Sequence, residues 1–397
     1  MTTEFDAIRP YNDDEVRGAI DSLLHDRHFS QILKGMVPLP LGLTRGLLRL
    51  ATVGIHSTLG FQLRFMKPVV KHVLRKCTTG HSFTHEGIQP GTERYTFISN
   101  HRDIVLDSAI LDVMLHDDKF PTTCEIAIGD NLLIYPWIRT LVRLNKAFIV
   151  RRNISRLELY ESSRLMSRYM RYAVQEKHEN IWIAQREGRA KDSSDQTQVS
   201  LLKMLAMAGE GGTAGAIESI KALNLVPLSI SYEYDPCDYL KAEEFQQKRD
   251  DASWKKSKQD DLINMKTGIL GQKGHVHYQT GRPVNEWIDT LAELPEKEFF
   301  QALAQGIDKE IHRNYRLYPG NYVAADLLAS SHEVQESLKP YKSHETHYSS
   351  GDKEAFEAYL TERISKINLH NKDEHFLRER LLTMYANPVF NLEQAKS

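Results

Sequence analysis

The segment YTFISNHRDIVLDSAIL, residues 95–111, contains the pattern that decides the fold. Its first five residues include the β-branched and aromatic side chains that are typical of a short buried strand. The polar run 100–103 follows, and the apolar residues after it predict the start of a helix. A strand, a polar turn and a helix in succession form the building unit of an α/β sheet.

Five further stretches have the composition of strands, and helical patterns separate them. They are TCEIAI (123–128), AFIVR (147–151), NIWIA (180–184), LVPLSIS (225–231) and HVHYQT (275–280). This alternation predicts an α/β fold with a central mixed sheet flanked by helices. The charged stretch 241–265 predicts a helical, solvated excursion beside that sheet.

The 397 residues divide into three predicted regions. Residues 1–80 form an N-terminal helical segment at a membrane interface, residues 81–290 the α/β domain, and residues 291–397 a helical C-terminal extension. In the first region, the spacing of apolar residues predicts one amphipathic helix over residues 13–35. The pattern of the extension does not indicate whether it covers a site, binds a partner or dimerises.

Charge is distributed unevenly, although 51 Lys and Arg against 53 Asp and Glu give a net charge of only −2. Residues 27–85 contain nine Lys or Arg residues and no Asp or Glu. Apolar residues recur there at steps of three and four, which predicts basic amphipathic helices that bind an anionic membrane surface. Core-packing helices with solvated basic edges are the alternative.

We expect a peripheral membrane protein on the cytoplasmic face. The cysteines, Cys77, Cys124 and Cys237, lack metal-ligand or redox spacing, as is typical of a reducing compartment. The N-terminus is acidic where a signal peptide would be basic and then apolar. The uncharged apolar stretch 50–63 is shorter than the roughly 20 residues of a membrane span. The near-neutral charge predicts no nucleic-acid partner.

His101 follows a strand at the edge of the sheet where α/β proteins bind their ligands. A histidine there suits a general base, because the ordinary pKa of about 6.5 lets it accept and return a proton. Asp103 is suited to cap the next helix, whereas Asp107 stands among apolar residues and needs a partner if buried. The predicted pair is His101 with Asp107, and a satisfied core histidine is the alternative.

Two more segments place cations at strand ends. In QREGRAKD, residues 185–192, Gly188 permits close approach and the neighbouring cations suit a phosphate; a solvated polar loop is the alternative. In NKAFIVRR, residues 145–152, one of the two terminal arginines is expected to point along the functional edge. In a fourth segment, LVPLSISY, Pro227 indicates an edge strand or a bulge near a site.

In order and spacing, these four segments resemble the four blocks of the glycerophospholipid acyltransferase family. The blocks run from residue 100 to residue 232, and the strand HVHYQTGRP extends the match to about 283. The resemblance implies that His101 is the general base and Asp107 its partner. It implies a substrate-binding set that comprises Arg151, Glu187, Gly188, Arg189 and Lys191.

The resemblance further implies that an acyl thioester donates a fatty acyl group to a lysophospholipid or glycerol-phosphate-type hydroxyl in phospholipid biosynthesis. The donor is acyl-CoA or acyl carrier protein, and the latter would then be a protein partner. No metal, no cofactor and no covalent acyl-enzyme are implied. His81 and His85 are four residues apart, but no carboxylate cluster accompanies them, so their spacing predicts no metal site.

Three departures mark the chain as a divergent member. Five residues separate His101 from Asp107 where the family has four, so His101 must lie in the turn before the helix. The third block has its cation at Arg189, one position early, and Asn145 stands where the family has Gly. Two other functions therefore stay open: an acyltransferase for an aminolipid or another non-phosphate lysolipid, and a catalytically inactive lipid-binding relative.

Overall fold

The computed structural model describes residues 4–36, 40–152, 154–330 and 343–396. Within these residues one sheet contains the strands β1 Gly80–Thr84, β2 Thr96–Ser99, β3 Cys124–Gly129, β4 Ala147–Val150, β5 Asn180–Ala184, β6 Leu225–Tyr232 and β7 His275–Thr280. Their spatial order is β1-β7-β6-β2-β5-β3-β4. Strands β2 to β6 are parallel, whereas β7 is antiparallel to β6 and parallel to β1. The predicted mixed α/β sheet is confirmed.

Helices precede, flank and follow this sheet. Before β1 lie α1 Asp13–His25, α2 Arg27–Met36, α3 Leu41–Ala51, α4 Thr58–Phe61, a π-helical turn Gln62–Met66 and α5 Lys67–Cys77. Between the strands lie α6 Leu106–Asp117, α7 Pro136–Leu144, α8 Arg156–Gln175, α9 Val199–Ala206, α10 Gly212–Leu223, α11 Asp238–Asp250 and α12 Lys258–Leu270. After β7 come α13 Glu296–Arg313, α14 Pro319–Ala329, α15 Ser350–Ser365 and α16 Glu374–Lys396.

The six predicted strands are all present, and β1 is an additional one. Its sequence, GHSFT, has little of the apolar character that marks a strand. β6 is an interior strand, so the expectation of an edge at Pro227 is wrong. Pro227 lies one residue before the stretch of β6 that pairs with β7. Its carbonyl accepts from Gly281 N at 2.7 Å. Proline has no backbone N–H to donate, and this residue lies where the pairing of β6 with β7 ends.

The helix predicted over residues 13–35 is two helices, α1 and α2. The chain turns at Asp26, which has an extended backbone with φ −64° and ψ 133°. Its side-chain Oδ1 accepts from Phe29 N at 2.9 Å, and its carbonyl accepts from Ser30 N at 3.0 Å. Asp26 therefore caps α2, a role that apolar periodicity does not report.

Two apolar cores lie on the two faces of the sheet. On one face, α5 and α6 cover strand residues such as Phe97 and Trp182. On the other face, α8, α9, α10 and α13 cover Ile98 and Ile183. A third core joins α11 with α14, α15 and α16.

In the described part of the chain beyond Pro283, the secondary structure is helical, as predicted. None of the described helices is long and apolar enough to cross a bilayer. The division at residues 80 and 290 stays a prediction.

Candidate active site

His101 and Asp107 meet at the carboxyl end of β2. His101 lies in the turn before α6, as its spacing required, and its Nδ1 is 2.8 Å from Asp107 Oδ2. The ring of Trp182 packs edge-on against the imidazole, with 5.5 Å between the ring centroids. Because Nδ1 faces a carboxylate, it carries the proton, and Nε2 is left to accept one. This arrangement suits a general base.

Asp107 is fully buried and receives several hydrogen bonds. Its Oδ2 also accepts from Arg102 N at 2.6 Å and Asp103 N at 3.0 Å, and its Oδ1 accepts from the Tyr232 hydroxyl at 3.0 Å. Burial raises the pKa of Tyr232 well above its ordinary value, so its hydroxyl stays a donor. The sequence analysis did not predict this role of Tyr232. Its position at the carboxyl end of β6, where α/β proteins bind their ligands, indicates that it lies near the site.

Asp103 performs the capping role expected of it. Its Oδ1 accepts from Val105 N and Leu106 N, both at 2.8 Å, at the start of α6. Burial, followed by the negative charge of Asp107, raises the pKa of Asp103 above its ordinary value. The two carboxylates therefore differ in function, because only Asp107 contacts the histidine.

A cavity of about 760 Å³ opens beside His101 on the α6 face of the sheet. Its floor includes Ile126 from β3, Ala147 from β4 and Trp182 from β5. Its walls come from the turn before α6, from α7 and from α12. Cavities of this volume accommodate small-molecule and lipid-sized ligands.

The second-block arginines point in different directions. Arg152 lines the cavity, and its guanidinium is 3.0 Å from the carboxylate of Glu187. Arg151, the predicted substrate ligand, is exposed and lies outside the cavity wall. Consecutive side chains of an extended chain point in opposite directions. The sequence alone did not show whether Arg151 or Arg152 points toward the cavity.

The cations of the third block all line the cavity, but their partners differ. Arg189 donates to Asn264 Oδ1 of α12 at 2.8 Å. Lys191 pairs with Glu244 of α11, and burial lowers its pKa to about 8. Arg186 forms no ion pair with any described residue, and its buried Nε has no hydrogen-bond partner there. Arg186 is therefore the guanidinium most available to an anion.

Glu187 and Gly188 also line the cavity. The Glu187 side chain is 66% exposed and pairs with Arg152, so it links the second and third blocks. Gly188 has φ +72°, a conformation that favours glycine. Its position leaves open space where a side chain would project. The structure thus gathers His101, Asp107, Glu187, Gly188, Arg189 and Lys191, but not Arg151, at one site.

The prediction of a solvated excursion over 241–265 is wrong. This stretch forms most of α11 and α12, and Phe245, Leu262 and Met265 line the cavity. Glu244 is buried and Asp261 lines the cavity, so charged residues of this stretch also face the interior or the cavity. Among the described residues, no group of three or more His, Cys, Asp or Glu side chains is arranged to hold a metal ion.

Residues 81–230 match the protein family described as Acyltransferase. The chain thus carries an acyltransferase domain, which confirms the resemblance that the four blocks indicated. Among solved structures, it is similar to the 1-acyl-sn-glycerophosphate (LPA) acyltransferase PlsC from Thermotoga maritima. That similarity has 12% identity and a TM-score of 0.37, and covers 74% of this chain and 97% of that chain. Comparison with curated protein sequences gives no match.

Proposed function

We propose that this acyltransferase moves a fatty acyl group from an acyl thioester to the hydroxyl of a lysophospholipid or glycerol-phosphate-type acceptor. The observation that carries the proposal is the 2.8 Å contact between His101 Nδ1 and Asp107 Oδ2 beside a cavity of about 760 Å³. A general base and a largely apolar chamber are the two parts that acyl transfer to a lipid hydroxyl requires.

In the proposed reaction, His101 Nε2 takes the proton of the acceptor hydroxyl. The hydroxyl oxygen forms a bond to the thioester carbonyl carbon, and the carbon–sulfur bond then breaks. The imidazolium returns the proton to the departing sulfur, which leaves as a thiol. Asp107 stabilises the imidazolium between these steps, and its hydrogen bonds from Arg102 N, Asp103 N and Tyr232 hold it in place.

The acceptor's anionic group would bind at the charged end of the cavity. Arg186 supports this assignment because its guanidinium has no carboxylate partner among the described residues, whereas Lys191 pairs with Glu244. Arg189 also lines the cavity but is held by Asn264. We therefore assign the principal headgroup contact to Arg186.

The reaction would take place at a membrane surface on the cytoplasmic face. Four large apolar side chains on and just after α3 are 53–69% exposed, which is unusual for a solvated helix. They are Leu43, Leu47, Leu50 and Val53. A second exposed apolar group lies on the first turns of α8, beside the exposed Arg151 and Arg156, and consists of Leu157, Leu159 and Tyr160. Such surfaces fit an anionic bilayer, on a chain whose residues 27–85 contain nine Lys or Arg and no Asp or Glu.

Vesicle co-sedimentation tests the membrane assignment. The double change Leu47→Ala and Leu50→Ala should weaken binding to phosphatidylglycerol vesicles at least tenfold, because each leucine loses on the order of 1 to 3 kcal/mol of apolar burial. The matched control is Ile263→Ala, which removes an exposed aliphatic side chain from α12. Equal binding by all three proteins would contradict the assignment.

Thiol release by the purified protein tests the proposed reaction. Acyl-CoA and acyl carrier protein are each supplied with lysophosphatidate, glycerol 3-phosphate, other lysophospholipids or an aminolipid acceptor. Release that depends on a phosphate-containing acceptor is the expected result. Release only with the aminolipid would support the first alternative function. Vesicle binding without release from any pair would support the inactive lipid-binding relative.

A further inference from the structure

The segment between β6 and β7, residues 233–274, is much longer than its position requires. β6 and β7 are antiparallel neighbours, and a two-residue turn can join such a pair. Instead the chain leaves the sheet to form α11 and α12 and then returns. The family match ends at residue 230, so this segment lies outside it.

One face of α12 forms a wall of the active-site cavity. Leu262, Met265 and Ile269 line the cavity and follow one another at steps of three and four, as expected for one side of a helix. Asp261 lines the cavity near the start of the helix, so the wall changes from polar to apolar along α12. Ile263 is 41% exposed and lies on another face.

Side chains from the third block contact both helices of this segment. Arg189 bonds to Asn264 of α12 at 2.8 Å, and Lys191 pairs with Glu244 of α11. The displaced cation of the third block therefore contacts α12. A Cβ atom at Gly268 would be only 2.1 Å from Asp103 Oδ2, so α12 packs directly against the turn that carries His101.

We propose that α12 sets the length of the fatty acyl chain that the enzyme accepts, with Met265 and Ile269 as the specificity-determining side chains. This inference rests on the proposed acyl transfer. The apolar side chains of α12 line the same cavity as Ile126 of the sheet, and we assign the acyl chain to this apolar lining. A larger side chain at 265 would shorten that space, and a smaller one at 269 would lengthen it.

The test is kcat/KM for a series of saturated acyl-CoA donors of increasing chain length, with one fixed acceptor. Met265→Trp should lower kcat/KM for the longest donors about tenfold or more and leave the shortest donors within about twofold, because only the long chains lose apolar burial of their last methylenes. Ile269→Ala should move the preference toward longer donors. Ile263→Ala, on the exposed face of the same helix, should leave the profile unchanged.

The result separates this inference from the reaction on which it rests. A chain-length profile that stays unchanged in both Met265→Trp and Ile269→Ala, in active protein, would overturn the role of α12 alone. A wild-type protein that transfers no acyl group from any donor would overturn the proposed function and this inference with it. If Met265→Trp does not fold, Ile269→Ala and Leu262→Ala still test the role of α12. Both should move the preference toward longer donors, and an unchanged profile in both would overturn that role.

Discussion

The turn after β2 and the α12 wall face the same cavity, but they are built in different ways. In the turn, Asp107 receives hydrogen bonds from four donors, three of them from residues 101–103. The α12 wall presents apolar side chains to the cavity and is joined to the α/β domain by long-range contacts, such as Arg189 with Asn264. Local hydrogen bonds fix the chemistry, whereas packing of a separate segment shapes the chamber.

Because the two regions are built differently, the rate of acyl transfer and the selectivity among donors should respond to different mutations. Changes in the turn should lower kcat for all donors alike, because they alter the proton transfer. Changes in α12 should alter the ranking of donors, because they alter the space for the acyl chain. A mutation in the turn that changed the ranking would contradict this separation.

Among changes to residues that act on the general base or the headgroup, the largest effect is expected from Asp107→Asn. An amide can bind the imidazole in the wrong tautomer and does not stabilise the imidazolium, so kcat should fall by about 10² to 10⁴. Asp103→Asn is the matched control within the same turn. In this variant kcat should fall only a few-fold, because asparagine caps a helix nearly as well as aspartate. Steady-state kinetics check both, and the reverse order would mean that Asp103 is the catalytic partner.

A smaller effect is expected from Arg186→Ala, and it should appear in KM for the acceptor. Loss of a hydrogen bond to a charged group costs roughly 1.5 to 3 kcal/mol, which corresponds to about a ten- to hundredfold rise. Arg151→Ala, which removes the exposed arginine outside the cavity, should leave KM within about twofold. A large effect at Arg151 and none at Arg186 would reverse the headgroup assignment.

The smallest of these effects is expected from Tyr232→Phe. This change removes one hydrogen bond from Asp107 and leaves the ring in place, so kcat should fall about tenfold. KM and the donor-length profile should stay constant, because Tyr232 acts through Asp107 as a positioning residue. A change in the donor ranking would instead indicate that Tyr232 belongs to the wall of the chamber.

Sequence alone predicted the sheet and the contact between His101 and Asp107 because both depend on local patterns. The strand before His101, the polar turn and the apolar start of α6 are all contained in residues 95–111. Asp103 was correctly interpreted as a cap for the same reason. β1 was missed because its five residues are mostly small or polar, and it is a strand only because β7 pairs with it.

The rest of the site depends on contacts between distant residues. A charged composition suggested solvation for residues 241–265, but Leu262 and Met265 are half-buried and line a cavity whose floor comes from three strands of the sheet. The partners of Arg189 and Lys191 lie more than fifty residues further along the chain. Arg186 was one of three candidate cations in residues 185–192, and no local motif reports which of them is left unpaired, so the choice of Arg186 depends on the structure.

The most direct test of His101 as the general base is a single-turnover measurement of acyl transfer by wild-type protein and His101→Ala on phosphatidylglycerol vesicles. We expect acceptor-dependent thiol release by the wild type and a loss of at least a hundredfold in the variant, with unchanged circular dichroism and vesicle binding. Transfer by His101→Ala at the wild-type rate would contradict the assignment of His101 as the general base.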